Sequence, residues 1–253
     1  MESLEGRIAW VTGAGTGIGE AAALALAREG MSVVLTGRRR EPLELVAGRI
    51  VEHGGTALVQ PADIGDSDAV FAVAEANRGA FGRLDVLVNN AGTNIADRSW
   101  QRLTPGGVAQ LINGNLTGAF YVAQTALGMM RVQSDGLMIH TASWAGRYIG
   151  PVAGPAYNAA KHGMVAMSYS LNLEECANGI RSTVNCPGDV ATPIMRHRPV
   201  RETPESLARK PEDMGELIVF LARQPKRVCT NEVVSPLYNR GYLSAMRARP
   251  GAV

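Results

Sequence analysis

A tyrosine and a lysine stand four residues apart in PAYNAAKHG, at Tyr157 and Lys161. On a helix that spacing puts both side chains on one face, about one turn apart. A phenol titrates near ~10 and is a weak acid or base at neutral pH, whereas an ammonium beside it stabilises the phenolate and lowers that value. Lysine suits the task as a compact point charge on a flexible stem that can also hydrogen-bond a ribose. The choice is selective in this chain: of 25 basic residues only Lys161, Lys210 and Lys226 are lysines, and none precedes Lys161. Upstream, in HTASWAG, Ser143 offers a hydroxyl that can donate to a carbonyl oxygen held beside the phenol. A Tyr-x-x-x-Lys pair also arises by chance in helices, so its meaning depends on its company.

The N-terminal region supplies some. TGAGTGIG (12–19) spaces Gly13, Gly17 and Gly19 as G-x-x-x-G-x-G. Glycine permits a tight strand-to-helix turn, and a bare backbone lets a pyrophosphate approach the free N–H groups of a helix start. The G-x-G-x-x-G spacing of the dinucleotide fingerprint is not met, because position 18 is Ile. The second apolar run ends in TGRRR (36–40), where an acid would hold a ribose 2′-hydroxyl. Gly37 takes that place and Arg38 follows; its planar fork suits a 2′-phosphate and favours NADP(H), with NAD(H) as the alternative. Arg39 and Arg40 read equally as a solvated helix entrance.

The elements that must position these groups alternate. Strands are expected at 7–12, 32–37, 56–60, 84–92, 136–143, 180–188 and 231–236. Helices are expected at 19–30, 41–54, 66–81, 107–131, 157–177 and 211–223. Near-continuous apolar strands separated by helices indicate a parallel sheet buried on both faces. The expected fold class is α/β: a doubly wound, Rossmann-type parallel sheet of about seven strands with helices on both faces, in a single domain spanning 1–253. Such a sheet binds its ligand outside the carboxyl ends of its strands. That is where NNAG (89–92), HTASWAG (140–146) and NCPGDVATP (185–193) fall, with Asn115 in NGNLTGAF (113–120) inside the following helix.

Bulk properties exclude other classes. A net charge of +2 disfavours nucleic acid and membrane surfaces as partners. The longest apolar runs, such as AAALALA at 21–27, are too short to cross a bilayer. The N-terminus carries no signal-peptide pattern, and Cys176, Cys186 and Cys229 form no pairable framework, so a reducing cytoplasm is expected. No metal-ligand spacing is present.

Taken together, TGAGTGIG, NNAG, the Asn115 helix, Ser143, YNAAK and PGDVATP make the chain resemble the short-chain dehydrogenase/reductase family over residues 5 to about 236. The resemblance implies an oxidoreductase that moves a hydride between nicotinamide and a carbonyl or alcohol carbon. In it Tyr157 is the general acid or base and Lys161 lowers the phenol's pKa and binds the nicotinamide ribose. Ser143 orients the substrate carbonyl, and Asn115 holds a water that links Lys161 to solvent. It further implies that Gly13, Thr16, Gly17, Ile18 and Gly19 wrap the pyrophosphate, and that Asp63 and Ile64 meet adenine. Asn89, Ala91 and Gly92 would flank the adenosine ribose and inner wall, and Pro187, Gly188, Val190 and Thr192 would face the nicotinamide. A homotetramer or dimer is implied by the same likeness. Bland readings stand beside these: Asn115 as a backbone cap, Asp63 as a turn residue, Thr192 as a helix N-cap.

The chain departs from the family pattern at Trp144, bulky beside Ser143, and after the last strand, where the common DGG is missing from an atypical tail, about 236–253. Segment 192–210 reads as a substrate lid. Its Arg196, His197, Arg198 and Arg201 would attract an acidic or phosphorylated substrate or form a solvated flap. Trp100, Trp144 and Tyr148 read as an aromatic substrate wall or as packing. The rivals are an NAD-dependent alcohol dehydrogenase on the same scaffold and a non-catalytic nucleotide-binding protein; the full Asn, Ser, Tyr, Lys set argues against the latter.

Overall fold

The computed structural model describes residues 1–198 and 210–235. Seven strands, β1 (Ile8–Thr12), β2 (Ser32–Gly37), β3 (Ala57–Pro61), β4 (Val86–Asn89), β5 (Gly136–Thr141), β6 (Ile180–Pro187) and β7 (Glu232–Ser235), pair in parallel in the order β3-β2-β1-β4-β5-β6-β7. The connecting helices are α1 (Gly17–Arg28), α2 (Arg40–Glu52), α3 (Ser67–Phe81), α4 (Pro105–Ile112), α5 (Gly118–Gln133), α6 (Pro155–Glu175) and α7 (Pro211–Ala222). The strand order reverses between β1 and β4, which opens the crevice beyond their carboxyl ends.

Both faces of the sheet are apolar, so the period-2 alternation sorts side chains between two cores rather than between core and solvent. Trp10, Val34, Leu87 and Met138 face one cluster with α3, α5 and α6. Their neighbours Val11, Val33, Val88 and Ile139 face the other, with α1, α2 and α7. The alanine-rich α1 lies close against α7, where a Cβ at Gly215 would come within 2.8 Å of the Ala21 carbonyl oxygen. Close backbone approach of this kind explains why these helices carry small residues at the crossing.

The expected elements are present, with ends shifted by a few residues. One differs in kind: the helix expected at 107–131 begins at Pro105 behind the N-cap Thr104 and is interrupted by a π turn, Asn113–Thr117. The fourth strand stops at Asn89, leaving Asn90–Gly92 as loop. Of the expected lid only 192–198 and 210 are described, and Arg201 and the tail after 235 lie outside the described residues. No helix of the described residues is long and apolar enough to cross a membrane.

Trp10 is fully buried at the centre of β1, and its indole N–H donates to the Thr36 hydroxyl on β2 at 2.9 Å. Trp10→Phe keeps most of the apolar surface but removes that donor from a dry site. It is expected to lower stability by about 1–3 kcal/mol, seen as a lower urea midpoint at an unchanged m-value. A midpoint equal to that of the unmodified protein would show that the bond contributes nothing.

Candidate active site

The turn between β1 and α1 is held in a shape that only glycine permits. Gly13 and Gly17 have φ of +66° and +62°. A Cβ at Gly19 would lie 2.2 Å from the Gly13 carbonyl oxygen and 2.7 Å from Asn90 Nδ2. Thr16 occupies the N-cap of α1, yet its side chain makes no capping hydrogen bond, and no side chain among the described residues accepts from the first N–H groups of the helix. Thr192, from the loop after β6, closes over the turn: its Cγ2 would be 2.9 Å from a Cβ at Gly17.

Thr12 bolts this turn to the neighbouring strand end. Its hydroxyl accepts from the N–H groups of Asn90 at 2.9 Å and Ala91 at 3.0 Å, while Asn90 Nδ2 donates to the Thr12 carbonyl at 3.1 Å. Neither Thr12 nor Asn90 was singled out from sequence, although both sit inside the quoted motifs. Asn89 behaves otherwise. It is fully buried, and its amide donates to the Ala119 carbonyl at 2.8 Å and meets His140 Nδ1 at 3.3 Å. The expected contact of Asn89 with a ribose is therefore corrected: its side chain points into the core and ties β4 to α5.

Asn115 lies in the π turn, also fully buried. The turn shifts the backbone ladder, so that the Gly118 N–H reaches back five residues to the Asn113 carbonyl. The Leu111 carbonyl is taken by Asn115 Nδ2 at 2.9 Å. The same amide grips the backbone of Thr93 from both sides, accepting from its N–H at 3.1 Å and donating to its carbonyl at 2.9 Å. Asn115 thus caps backbone groups, the bland reading, but it does so beside the chemistry. A Cβ at Gly92 would be 2.8 Å from Asn115 Oδ1 and 3.4 Å from Lys161 Nζ.

Ser143, Tyr157 and Lys161 converge. The Ser143 Oγ accepts from the Ala145 N–H at 3.1 Å, which fixes its rotamer, and the hydroxyl opposes the rise of the Tyr157 phenol's pKa. Lys161 is 2% exposed; its Nζ donates to the Thr141 carbonyl at 2.8 Å and lies 5.6 Å from the centre of the Tyr157 ring. Burial pulls the Lys161 pKa down to about 8. The phenol is pushed above its ordinary value by burial, and is drawn back by the Ser143 hydroxyl and by two guanidinium groups, Arg98 and Arg198. Arg98 and Arg198 are charges acting on the phenol that the Tyr157–Lys161 spacing does not announce. No motif marks Arg98, which is why the sequence did not reveal it.

The remaining candidates lie on the first turn of α1 or at and after the carboxyl ends of β2, β3 and β6. Arg38 is exposed at the end of β2 and has no ion pair or hydrogen bond among the described residues, whereas Arg40 pairs with Glu44 at 3.4 Å. The Asp63 Oδ1 accepts from the Gly65 N–H at 3.0 Å, so it makes a turn at the end of β3, and Ile64 behind it is buried against Gly118. Ile18 sits partly buried on the first turn of α1. Pro187 ends β6, the Gly188 N–H donates to the Ser235 carbonyl at 2.9 Å, and Val190 is buried. Thr192 does stand at an N-cap position, but its hydroxyl donates back to the Val190 carbonyl at 3.2 Å instead of capping. Trp144 and Tyr148 stack with ring centres 4.0 Å apart, next to Ser143; Trp100 is 83% exposed. Among the described residues no cluster of three or more His, Cys, Asp or Glu could hold a metal ion.

A helix start without a side-chain cap, behind a cradle that a Cβ would fill, and a buried ammonium at Gly92 are a donor set that fits the phosphates and ribose of a nicotinamide dinucleotide. Comparison with known proteins agrees. The short chain dehydrogenase family model matches residues 7–203. An uncharacterized oxidoreductase of Staphylococcus aureus (strain USA300) is 32% identical over 237 residues, covering 92% of this chain and 98% of that protein. Among solved structures, a metagenomic short-chain oxidoreductase in complex with NADP is 31% identical, with a TM-score of 0.82 over 94% of this chain and 100% of that one. The 3-ketoacyl-(acyl-carrier-protein) reductase of Brucella melitensis, complexed with NADH, is 29% identical, with a TM-score of 0.83 over 92% of this chain and 97% of that one.

Gly19→Ala must displace either the Gly13 carbonyl or Asn90, so it is expected to cost about 1–3 kcal/mol of stability. It should also weaken dinucleotide binding about tenfold or more, 1.4 kcal/mol per factor of ten. Thermal unfolding and titration calorimetry with NADPH check the two effects; an unchanged dissociation constant would show that the turn does not shape the phosphate site.

Proposed function

Since the chain belongs to the short-chain dehydrogenase family, and is an NAD(P)-dependent oxidoreductase, we propose that it interconverts a carbonyl and a secondary alcohol with NADP(H) as the preferred cofactor. Reduction of a ketone or aldehyde is the favoured direction. The observation that carries this reading is the buried Lys161 ammonium under the Tyr157 ring, with Ser143 acting on the same phenol.

When bound, the nicotinamide supplies or accepts the hydride. The protein's own part is position and proton. Ser143, locked by the Ala145 N–H, holds a substrate carbonyl oxygen beside the phenol and stabilises the charge that develops on it. Tyr157 delivers its phenolic proton to that oxygen in reduction and takes it back in oxidation. The resulting phenolate is stabilised by Ser143, Arg98 and Arg198. Lys161, largely protonated at neutral pH with a pKa of about 8, is positioned to hydrogen-bond a ribose from the Gly92 side and to return a proton toward the phenol. Asn115 holds the Thr93 backbone, and with it the wall against which the ribose would lie. The stacked Trp144 and Tyr148 narrow the substrate side.

The cofactor preference rests on Gly37 and the unpaired Arg38 in place of an acid. A homo-oligomer, tetramer or dimer, and a cytoplasmic location complete the proposal, on family grounds.

Tyr157→Phe removes the only proton the phenol can move while leaving the ring in place. Turnover is expected to fall at least about a hundredfold with the NADPH dissociation constant nearly unchanged; an active Phe enzyme would refute the proton-transfer role. Arg38→Ala is expected to raise KM for NADPH about tenfold or more, through the loss of a charge-assisted hydrogen bond, and to move KM for NADH little. Equal effects on both would remove Arg38 from the 2′-phosphate site.

A further inference from the structure

Beside Tyr157 the protein buries a positive charge that no carboxylate among the described residues balances. Arg98, in the loop after β4, is only 5% exposed, a rare state for an arginine without a counter-ion. One Nη2 bond to the His197 carbonyl is its single hydrogen bond, and its Nε is buried with no partner among the described residues. The adjacent acid does not serve it, because Asp97 pairs with Arg102 on the surface. Burial, and then the field of a second cation, Arg198, pull the Arg98 pKa down. Arg198 is already committed: its guanidinium grips the Asp189 carboxylate with both Nη atoms. Among the described residues Arg98 therefore has no carboxylate of its own.

The side chain is held there by the fold. Gly154, with φ of +83°, immediately precedes α6, and a Cβ at that position would meet the Arg98 carbonyl oxygen at 2.5 Å and its Cβ and Cγ at 2.9 Å. Asn94 Nδ2 donates to the Ala153 carbonyl at 3.1 Å, pinning the same loop to the start of the helix that carries Tyr157. A backbone shaped to seat an arginine stem, and then leaving the head unpaired, indicates a binding group rather than a structural ion pair.

We infer that Arg98, assisted by Arg198, binds a carboxylate on the substrate, so that the favoured substrates are oxo acids and the matching hydroxy acids, anchored by their carboxylate with the ketone presented to Tyr157. The inference rests on the carbonyl-reducing reading of that tyrosine. A carboxylate supplies the counter-charge that Arg98 lacks among the described residues. Planar carboxylates also match the fork of a guanidinium, and a bound anion relieves the desolvation of Arg98. The same charges that hold the substrate stabilise the phenolate, so one pair of residues serves both binding and proton transfer.

The test compares short-chain oxo acids with their methyl esters, using the full chain and NADPH. The unmodified protein is expected to favour the acid in kcat/KM. Arg98→Met keeps the stem and removes the charge; the acid-to-ester ratio of kcat/KM should fall about tenfold or more, mainly through KM, and Arg98→Lys should recover part of it. The alkaline limb of the pH–rate profile should also move to higher pH in Arg98→Met, which a merely structural role would not produce. If Arg98→Met does not fold, Arg198→Met, which alters a partly exposed side chain, is read by the same ratio. A ratio near one in the unmodified protein, or one unchanged in the variant that folds, overturns the inference. Should neither acid nor ester turn over, the carbonyl-reducing reading itself fails. The anion site is then judged by thermal stabilisation with the oxo acid alone, expected in the unmodified protein and absent in Arg98→Met; no stabilisation overturns it.

Discussion

The site depends on keeping a lysine ammonium out of water. Lys161 is 2% exposed, and the hydrogen bond it makes to protein is to one backbone carbonyl, that of Thr141. Burying an ammonium on so little support is unfavourable, and the fall of its pKa to about 8 expresses that penalty. Much of the surrounding architecture supports the arrangement. Gly92 leaves room at Nζ, Asn115 fixes the loop that follows, and the end of β5 supplies the carbonyl. A lysine suits this place because its charge is concentrated at one tip and can be released; a guanidinium would remain charged and broad.

The low dielectric that burdens Lys161 also strengthens every other charge near the phenol. Burial alone would make Tyr157 a weaker acid than free tyrosine. Ser143, Arg98 and Arg198 oppose that shift, so the acidity of the phenol reflects a balance between desolvation and specific neighbours. Those neighbours come from three separate strand ends, β4, β5 and β6, and none is adjacent to Tyr157 in sequence. A doubly wound sheet makes this possible because successive βα connections all empty into one crevice.

The π turn at Asn113–Thr117 has a comparable logic. A regular helix would keep the Leu111 carbonyl within the backbone ladder. Here Asn115 Nδ2 takes that carbonyl and uses its remaining capacity on both backbone groups of Thr93. One buried amide therefore couples the helix to the inner loop of the site, with Gly114 and Gly118 allowing the close approach to Thr93 and Ile64. An asparagine there organises backbone, and Asn89 likewise spends its amide on Ala119 and His140.

What the sequence by itself determined is whatever is local or periodic. Continuous apolar runs marked the strands, Gly13, Gly17 and Gly19 marked the turn, and the four-residue step from Tyr157 to Lys161 placed both on one face of α6, because backbone sterics and helical geometry act over short separations. Tertiary structure decided what each polar side chain is spent on. That Asn89 turns inward, that Thr12 and Asn90 lock the glycine turn, that the Thr192 hydroxyl bonds Val190, and that Arg98 reaches Tyr157 are outcomes of which strand ends become neighbours. Hydrogen-bond partners and electric fields are set by distances in space, and residues 59 positions apart, as Arg98 and Tyr157 are, have no distance until the chain has folded.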